Sequence, residues 1–358
     1  MDPTLSKYIN DLTRKSCDSG ADLSLLNHPN LERERTDGQI LQLLTDQSRL
    51  LSAIQTMQVS ECKGSIPRFD SCDLGAVAAC SIDGLPSYNF QDDYIDYDLK
   101  KYVASTSYSQ DMLDCNKFGN QIESVQSQML MTSMRNSMER VAILGDQNLP
   151  TGNGQPAINN LLGADDGFLK KACSCVPESQ IIDAQGAGPS AELFLNMRKS
   201  LPPRYRVNLN AYQYLVSPSI ADWYVQAFAN RVTDTGDAIL QGGSVDRLWG
   251  NSLFEVPLWP DNMIYTNTNG DDVEVTHILF TPLNNLIHIA QRRLDLQTEY
   301  VLASDKFITV GYWRQTQIIA DPAACVLVKN VSPCGIAYEG CMTNNPNACF
   351  TESNNPCS

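Results

Sequence analysis

The sequence contains no uninterrupted apolar run near the ~18–20 residues that a membrane-spanning helix needs. Its opening, Met1-Asp2-Pro3, does not begin the basic-then-apolar pattern of a secretory leader. Together these absences predict a soluble chain made in the cytosol, with no membrane partner. Basic residues are also few: 26 Lys and Arg stand against 41 Asp and Glu, a net charge of −15. A reader of nucleic-acid sequence needs clustered cations to neutralise phosphates, so the composition argues against that class. Ordinary solubility accounts for most of the acidity.

Histidine is scarce. His28, His277 and His288 fall in an N-terminal arm and in two separate strand-like stretches, a poor supply for a His-dependent nucleophile or a His-rich metal site. No G-x-x-x-x-G-K-[ST] and no G-x-S-x-G occurs. Gly186-Ala187-Gly188-Pro189-Ser190-Ala191 does match the dinucleotide pattern G-x-G-x-x-A and opens a helix. Only Ile181-Ile182 precedes it as strand, however, and no acidic residue closes a second strand at the expected distance. Asp92, Asp93, Asp96 and Asp98 form an acidic cluster, but the glycine and closing glutamate of a calcium loop are missing. The expectation is a chain with no catalytic, cofactor or metal site, hence no enzyme.

Cysteine, by contrast, is abundant. Twelve are present: Cys17, Cys62, Cys72, Cys80, Cys115, Cys173, Cys175, Cys325, Cys334, Cys341, Cys349 and Cys357. That load is unusual in a reducing compartment. Zinc sites favour C-x-x-C pairs, whereas the closest pair here is Cys173-x-Cys175 and the tail cysteines are evenly spread. Disulfides suit the pattern better, and a cross-link closing a loop of ~15 residues is worth about 3 kcal/mol in the chain-entropy picture. All twelve are disulfide candidates, and those of the arm and tail are expected to oxidise after the protein leaves the cell.

The longest helical signal runs from Asn120 to Leu144. Ile122, Val125, Met129, Leu130, Met134, Met138 and Val141 recur at gaps of three and four, with one slip at Met129/Leu130, and make one apolar stripe. Asn120 with Glu123 is a capping box, and Gly145-Asp146 ahead of Pro150 is a stop. At ~1.5 Å per residue the rod is roughly 35–38 Å long.

Residues 1–66 read as an arm whose apolar helix, Ile40 to Met57, has no second element to pack on. From Arg68 to Gln110 the pattern becomes a charged two-stranded ribbon, with alternation through Asp92–Ala104 and a turn at Gly84-Leu85-Pro86-Ser87. A Gly-rich loop spans Gly145–Gly167, and Ala191–Arg198 is helical up to Pro202-Pro203. Tyr212–Val216 is a strand, after which Ser217 caps and Pro218 opens a helix to Ala229. Strands are expected at Leu253–Leu258, Val273–Thr281, Leu286–Ala290, Phe307–Trp313, Gln315–Ala320 and Cys325–Val331, with a hairpin turn at Asn267-Thr268-Asn269-Gly270. A helical middle followed by a strand-rich end is α+β. The tail, 332–358, carries no core residues.

This order of elements resembles the major capsid proteins of tailed bacteriophages, the Hong Kong 97-type fold. The resemblance is carried by Tyr97–Ala104 with Tyr108–Leu113, by Val141–Asp146, by Ser200–Arg206 ahead of Tyr214–Pro218, and by Trp249–Leu258. It implies an arm at 1–66 and an extended loop with its lead-in at 67–115. A peripheral domain would span 116–206 with the spine helix at 120–144, an axial domain 207–298, a return to the peripheral domain 299–331, and a cysteine-rich tail 332–358. It further implies self-assembly into pentamers and hexamers of an icosahedral virion shell, built in the host cytoplasm. The partners would be neighbouring capsomers, a scaffold, a decoration protein, and packaged DNA bound without sequence specificity. Asp92, Asp93, Asp96, Asp98, Lys100 and Lys101 become candidates for contacts between subunits. Some relatives join subunits by a Lys–Asn isopeptide bond, but no Asn lies between Leu286 and Lys329, so that chemistry is not carried over. Rival expectations are an encapsulin-like compartment, a nucleotide-dependent enzyme using Gly186–Ala191, and an extracellular disulfide-rich adhesin.

Overall fold

The computed structural model describes residues 48–70, 91–109, 122–229, 247–266, 272–291, 295–302 and 304–333. Two sheets dominate them. The first contains β1 (Gln55–Val59), β4 (Lys100–Ser109), β11 (Leu286–Gln291), β12 (Asp295–Val301) and β13 (Lys306–Ile319), in the order β1-β11-β13-β12 with β4 on the far edge of β13. The second contains β5 (Ile181–Asp183), β6 (Tyr212–Val216), β7 (Arg247–Leu248), β8 (Asn251–Glu255), β9 (Met263–Thr266), β10 (Asp272–Pro282) and β14 (Val326–Val331), ordered β5-β14-β10-β6-β8-β7 with β9 on β10. A separate ribbon pairs β2 (Lys63–Asp70) with β3 (Gln91–Asp98).

The helices cover these sheets according to their apolar faces. α1 is Arg49–Ala53, α2 Ile122–Leu144, α3 Ala157–Leu162, α4 Phe168–Cys175, α5 Ala191–Ser200 and α6 Pro218–Ala229. On α2, Leu130, Met134, Met138 and Val141 are buried, while Met129 is 65% exposed. The slip in the stripe therefore resolves toward Leu130. The last turn, Val141 to Leu144, is buried on every side because the chain folds back over it. Gly167 N–H donates to Gly145 O at 2.8 Å, and a Cβ on Gly145 would lie 2.2 Å from Asp165 O. Only glycine permits that approach, so Gly145 is more than a helix stop.

Strict alternation divides the second sheet between two cores. Tyr214, Val216, Ile278, Phe280, Val326 and Val328 face Phe194 of α5 and Ile220 and Tyr224 of α6. Leu215, Leu279 and Leu327 point the other way, into the cluster that holds α2 and α4. Strands buried on both faces read as continuous apolar runs, as His277-Ile278-Leu279-Phe280 and Cys325–Val328 do. Ser217 caps α6 as expected, its Oγ accepting from Ile220 N at 3.4 Å.

Several expectations change. The helix expected over Ile40–Met57 is confined, among described residues, to Arg49–Ala53; Ile54 is extended (φ −89°, ψ 169°) and Gln55–Val59 pairs parallel with β11. The tertiary pairing overrides the helical periodicity. The charged ribbon begins earlier than Arg68 and is closed by β2 and β3, whereas β4 leaves it to pair with β13 along Lys100–Ser109. The ribbon also packs within the chain: Ile66, Ile95, Tyr97 and Leu99 lie on Ile287, Ile289 and Ile318. Phe307–Trp313 and Gln315–Ala320 prove to be one strand, β13. Two helices, α3 inside the Gly-rich loop and α4 beyond it, were not foreseen. Asn120 of the capping box and the turn at 267–270 lie outside the described residues, although β9 and β10 flank that turn in antiparallel register, Thr266 opposite Asp272.

Candidate functional site

The acidic ribbon supplies the first group of expected contact residues. Asp98 stands opposite Lys63 in the ladder, and its carboxylate lies 3.2 Å from Lys63 Nζ and 3.0 Å from Lys100 Nζ. Those two ammonium groups, Lys100 foremost, hold the Asp98 carboxyl below its ordinary range. Lys101 Nζ sits 4.2 Å from the centre of the Tyr312 ring, a cation–π contact across the β4–β13 pair. Asp98, Lys100 and Lys101 thus already have partners in their own chain, and strand pairing decides two of them, Lys63 for Asp98 and Tyr312 for Lys101. Asp96 is exposed opposite Ser65. Asp92 and Asp93 belong to β3, but their side chains lie outside the described residues.

Beyond this ribbon, β12, β13 and β4 continue as a three-stranded projection. Its exposed positions include Val103, Ser105 and Ser107 on β4 and Gln297 to Tyr300 on β12. At its tip Tyr300 and Tyr108 both pack on Phe307, with ring centres 4.8 and 5.1 Å away. Leu302, in the turn that joins β12 to β13, is 83% exposed. Among the described residues the outer edge of β12 carries no further strand. An exposed apolar side chain beside an unpaired strand edge favours burial against another surface. The tip was missed at the sequence level; Tyr300-Val301-Leu302 ahead of the turn was its available signal.

The cysteines divide. Cys173 is disulfide-bonded. Cys62, Cys175 and Cys325 are free, half-buried, exposed and buried respectively. Cys325 is corrected as a disulfide candidate: Asn285 Nδ2 donates to its Sγ at 3.2 Å, it lies 3.2 Å from Thr281 Oγ1, and burial pushes its thiol up to about 12. An inert buried thiol is a packing residue. Cys17, Cys72, Cys80, Cys115, Cys334, Cys341, Cys349 and Cys357 lie outside the described residues.

The dinucleotide pattern fails on geometry. Gly186 N–H donates to Asn330 O at 2.8 Å and Ala187 N–H to Ala184 O at 2.8 Å, so neither amide is free to meet a phosphate. Of the histidines, His277 is buried with Nδ1 accepting from Asn330 N at 3.2 Å. His288 is fully buried, and burial pushes it down to about 4. His28 lies outside the described residues. No group of three or more His, Cys, Asp or Glu able to hold a metal occurs among the described residues.

A polar layer runs between the first sheet and its helices. Trp313, Gln315 and Gln317 share one face of β13, and Gln315 Nε2 donates to Met138 O of α2 at 3.2 Å. Tyr102 stacks on Trp313 with ring centres 5.6 Å apart, and His288 stands opposite Gln317. Asp165 is buried beside Tyr102, and Glu139 of α2 is buried against Ser48 at the start of α1; burial raises both carboxyls above their usual range. In this layer Tyr102 OH, Asp165 Oδ2, Trp313 Nε1, Gln315 Oε1, both His288 nitrogens and both amide atoms of Gln317 have no hydrogen-bond partner. A buried polar group left unpaired costs about 1–3 kcal/mol.

No protein-family profile matches the chain. A sequence relative, YqbE of Bacillus subtilis (strain 168), named as a prophage capsid protein, is 25% identical over 219 residues, covering 60% of this chain and 64% of that protein. The match thus spans less than two thirds of the relative's length. A chain of the satellite phage P4 procapsid superimposes with a TM-score of 0.55 at 15% identity, over 82% of this chain and 98% of that one. The capsid chain of a native GTA particle gives 0.54 at 15% identity, over 79% and 90%. A chain of Gordonia phage Cozz gives 0.52 at 11%, over 79% and 86%. With its long helix laid on one sheet, a second sheet beside it and a projecting ribbon, the chain has the α+β Hong Kong 97-type fold of phage capsid proteins.

Proposed function

We propose that this chain is the major shell protein of a phage head, a structural subunit without catalytic activity whose copies form the pentamers and hexamers of an icosahedral capsid around double-stranded DNA. The observation that carries this reading is the projection β12–β13–β4, a stretch of sheet that exposes Tyr300 and Leu302 at its tip and is set on a fold that phage capsids share. The natural occupant of such a surface is another copy of the chain, repeated by symmetry. In these terms 1–66 is the arm, 67–115 the extended loop, 116–206 with 299–331 the peripheral domain, 207–298 the axial domain and 332–358 the tail. The net charge of −15 suits a wall along which DNA slides without sequence-specific contacts. A scaffold and a decoration protein are further partners, the assembled site is the virion, and assembly takes place in the host cytoplasm.

Disulfides reinforce the shell in this proposal, with Cys175 and the cysteines of the arm and tail as the joining residues. Electron microscopy and light scattering of the purified protein, oxidised and then fully reduced, test both parts. Closed shells that loosen on reduction support them. A monomer or dimer under both conditions overturns the shell reading, and twelve titratable thiols in unreduced shells overturn the disulfides alone.

A further inference from the structure

We propose that the polar layer between β13 and α2 is an internal hydration site, in which ordered water bridges His288 and Gln317 and extends toward Gln315 and Tyr102. The placement of these groups leads there. His288 and Gln317 face each other on adjacent antiparallel strands, both fully buried, and neither ring nitrogen nor either amide atom has a partner. Direct pairing of the two side chains satisfies one atom of each. A neutral imidazole needs one donor and one acceptor, and a primary amide offers two donors and two acceptor positions, so at least one nitrogen of His288 and one amide group stay unmet. Tyr102 OH, Trp313 Nε1, Gln315 Oε1 and Asp165 Oδ2 add further open positions in the same layer. Water is the ligand that matches this mixture, because it both donates and accepts and settles where two to four polar partners converge.

Two other occupants fit less well. A metal ion needs a convergent set of His, Cys or carboxylate ligands, and none occurs among the described residues. An apolar molecule would leave the same atoms unpaired. Proteins hold about one buried water per 27 residues, so a small cluster here is ordinary in number and unusual only in its position, between a sheet and the longest helix.

The test is a map of the native protein, assembled or free, at a resolution that shows ordered water. Peaks within about 2.7–3.2 Å of a His288 nitrogen and of the Gln317 amide are the expected result. A dry layer, with the two side chains paired directly or with no peak beside them, overturns the proposal. The reading does not depend on shell formation: a protein that never assembles still shows or lacks these waters.

Discussion

Met138 and Met129 lie on one helix, nine positions apart, and the structure assigns them opposite fates. Met138 is fully buried among Leu130, Met134, Val141 and the residues of the first sheet, whereas Met129 is 65% exposed. Replacing a fully buried methionine by alanine removes its transfer free energy and leaves a cavity, together about 2–5 kcal/mol. Replacing an exposed one costs within about 0.5 kcal/mol, because no cavity forms and alanine favours the helix. The assay is thermal or urea unfolding of the unassembled subunit, which keeps assembly out of the measured stability. At about 2–4 °C per kcal/mol for chains of 150–250 residues, and less for longer ones, Met138→Ala lowers the midpoint by several degrees and Met129→Ala leaves it in place. Equal losses at the two sites would refute the assignment of the buried face to Leu130 rather than Met129.

Three further outcomes are expected. His288 has a folded pKa of about 4, below the 6.5 of the free side chain, so its contribution is complete above about pH 6.5 and is lost as pH falls toward 4. The difference is about 3 kcal/mol, and a His288→Leu variant should show a flatter fall in unfolding midpoint over that window; an unchanged pH profile contradicts the burial. In thiol labelling of the reduced subunit, Cys175 reacts first, Cys62 more slowly and Cys325 only after unfolding, as peptide mass spectrometry would show. Gly145→Ala sets a Cβ 2.2 Å from Asp165 O and should yield little soluble protein, with a loss of more than about 3 kcal/mol where material is recovered; a near-native unfolding midpoint contradicts the close approach.

Local signals carried most elements of the fold. The α2 stripe from Leu130 onward, the Ser217-Pro218 opening of α6 and the strand runs of β6 and β10 are written in neighbouring residues, and the structure follows them. What escaped is non-local. Gln55–Val59 becomes a strand only because β11 lies alongside it, and nothing within five residues says so. Asp98 looks free in sequence and gains a distant partner because the register of β2 on β3 brings Lys63 opposite it. The aromatic group of Tyr300, Phe307 and Tyr108 likewise needed the three-stranded pairing to bring its members together.

The length of β13 has a mechanical meaning. At about 3.3 Å per residue its run from Lys306 to Ile319 reaches roughly 45 Å, with Gln315–Ile319 gripped inside the body and Lys306–Tyr312 extended outside it. Ladders along both edges stiffen the outer part, so a sideways load at Leu302 is delivered as torque rather than absorbed as bending. The stack of Tyr102 on Trp313, where the strand enters the core, is the fulcrum. Inward of it lies the polar layer against α2, so a push received from outside is felt first where Gln315 holds the Met138 carbonyl.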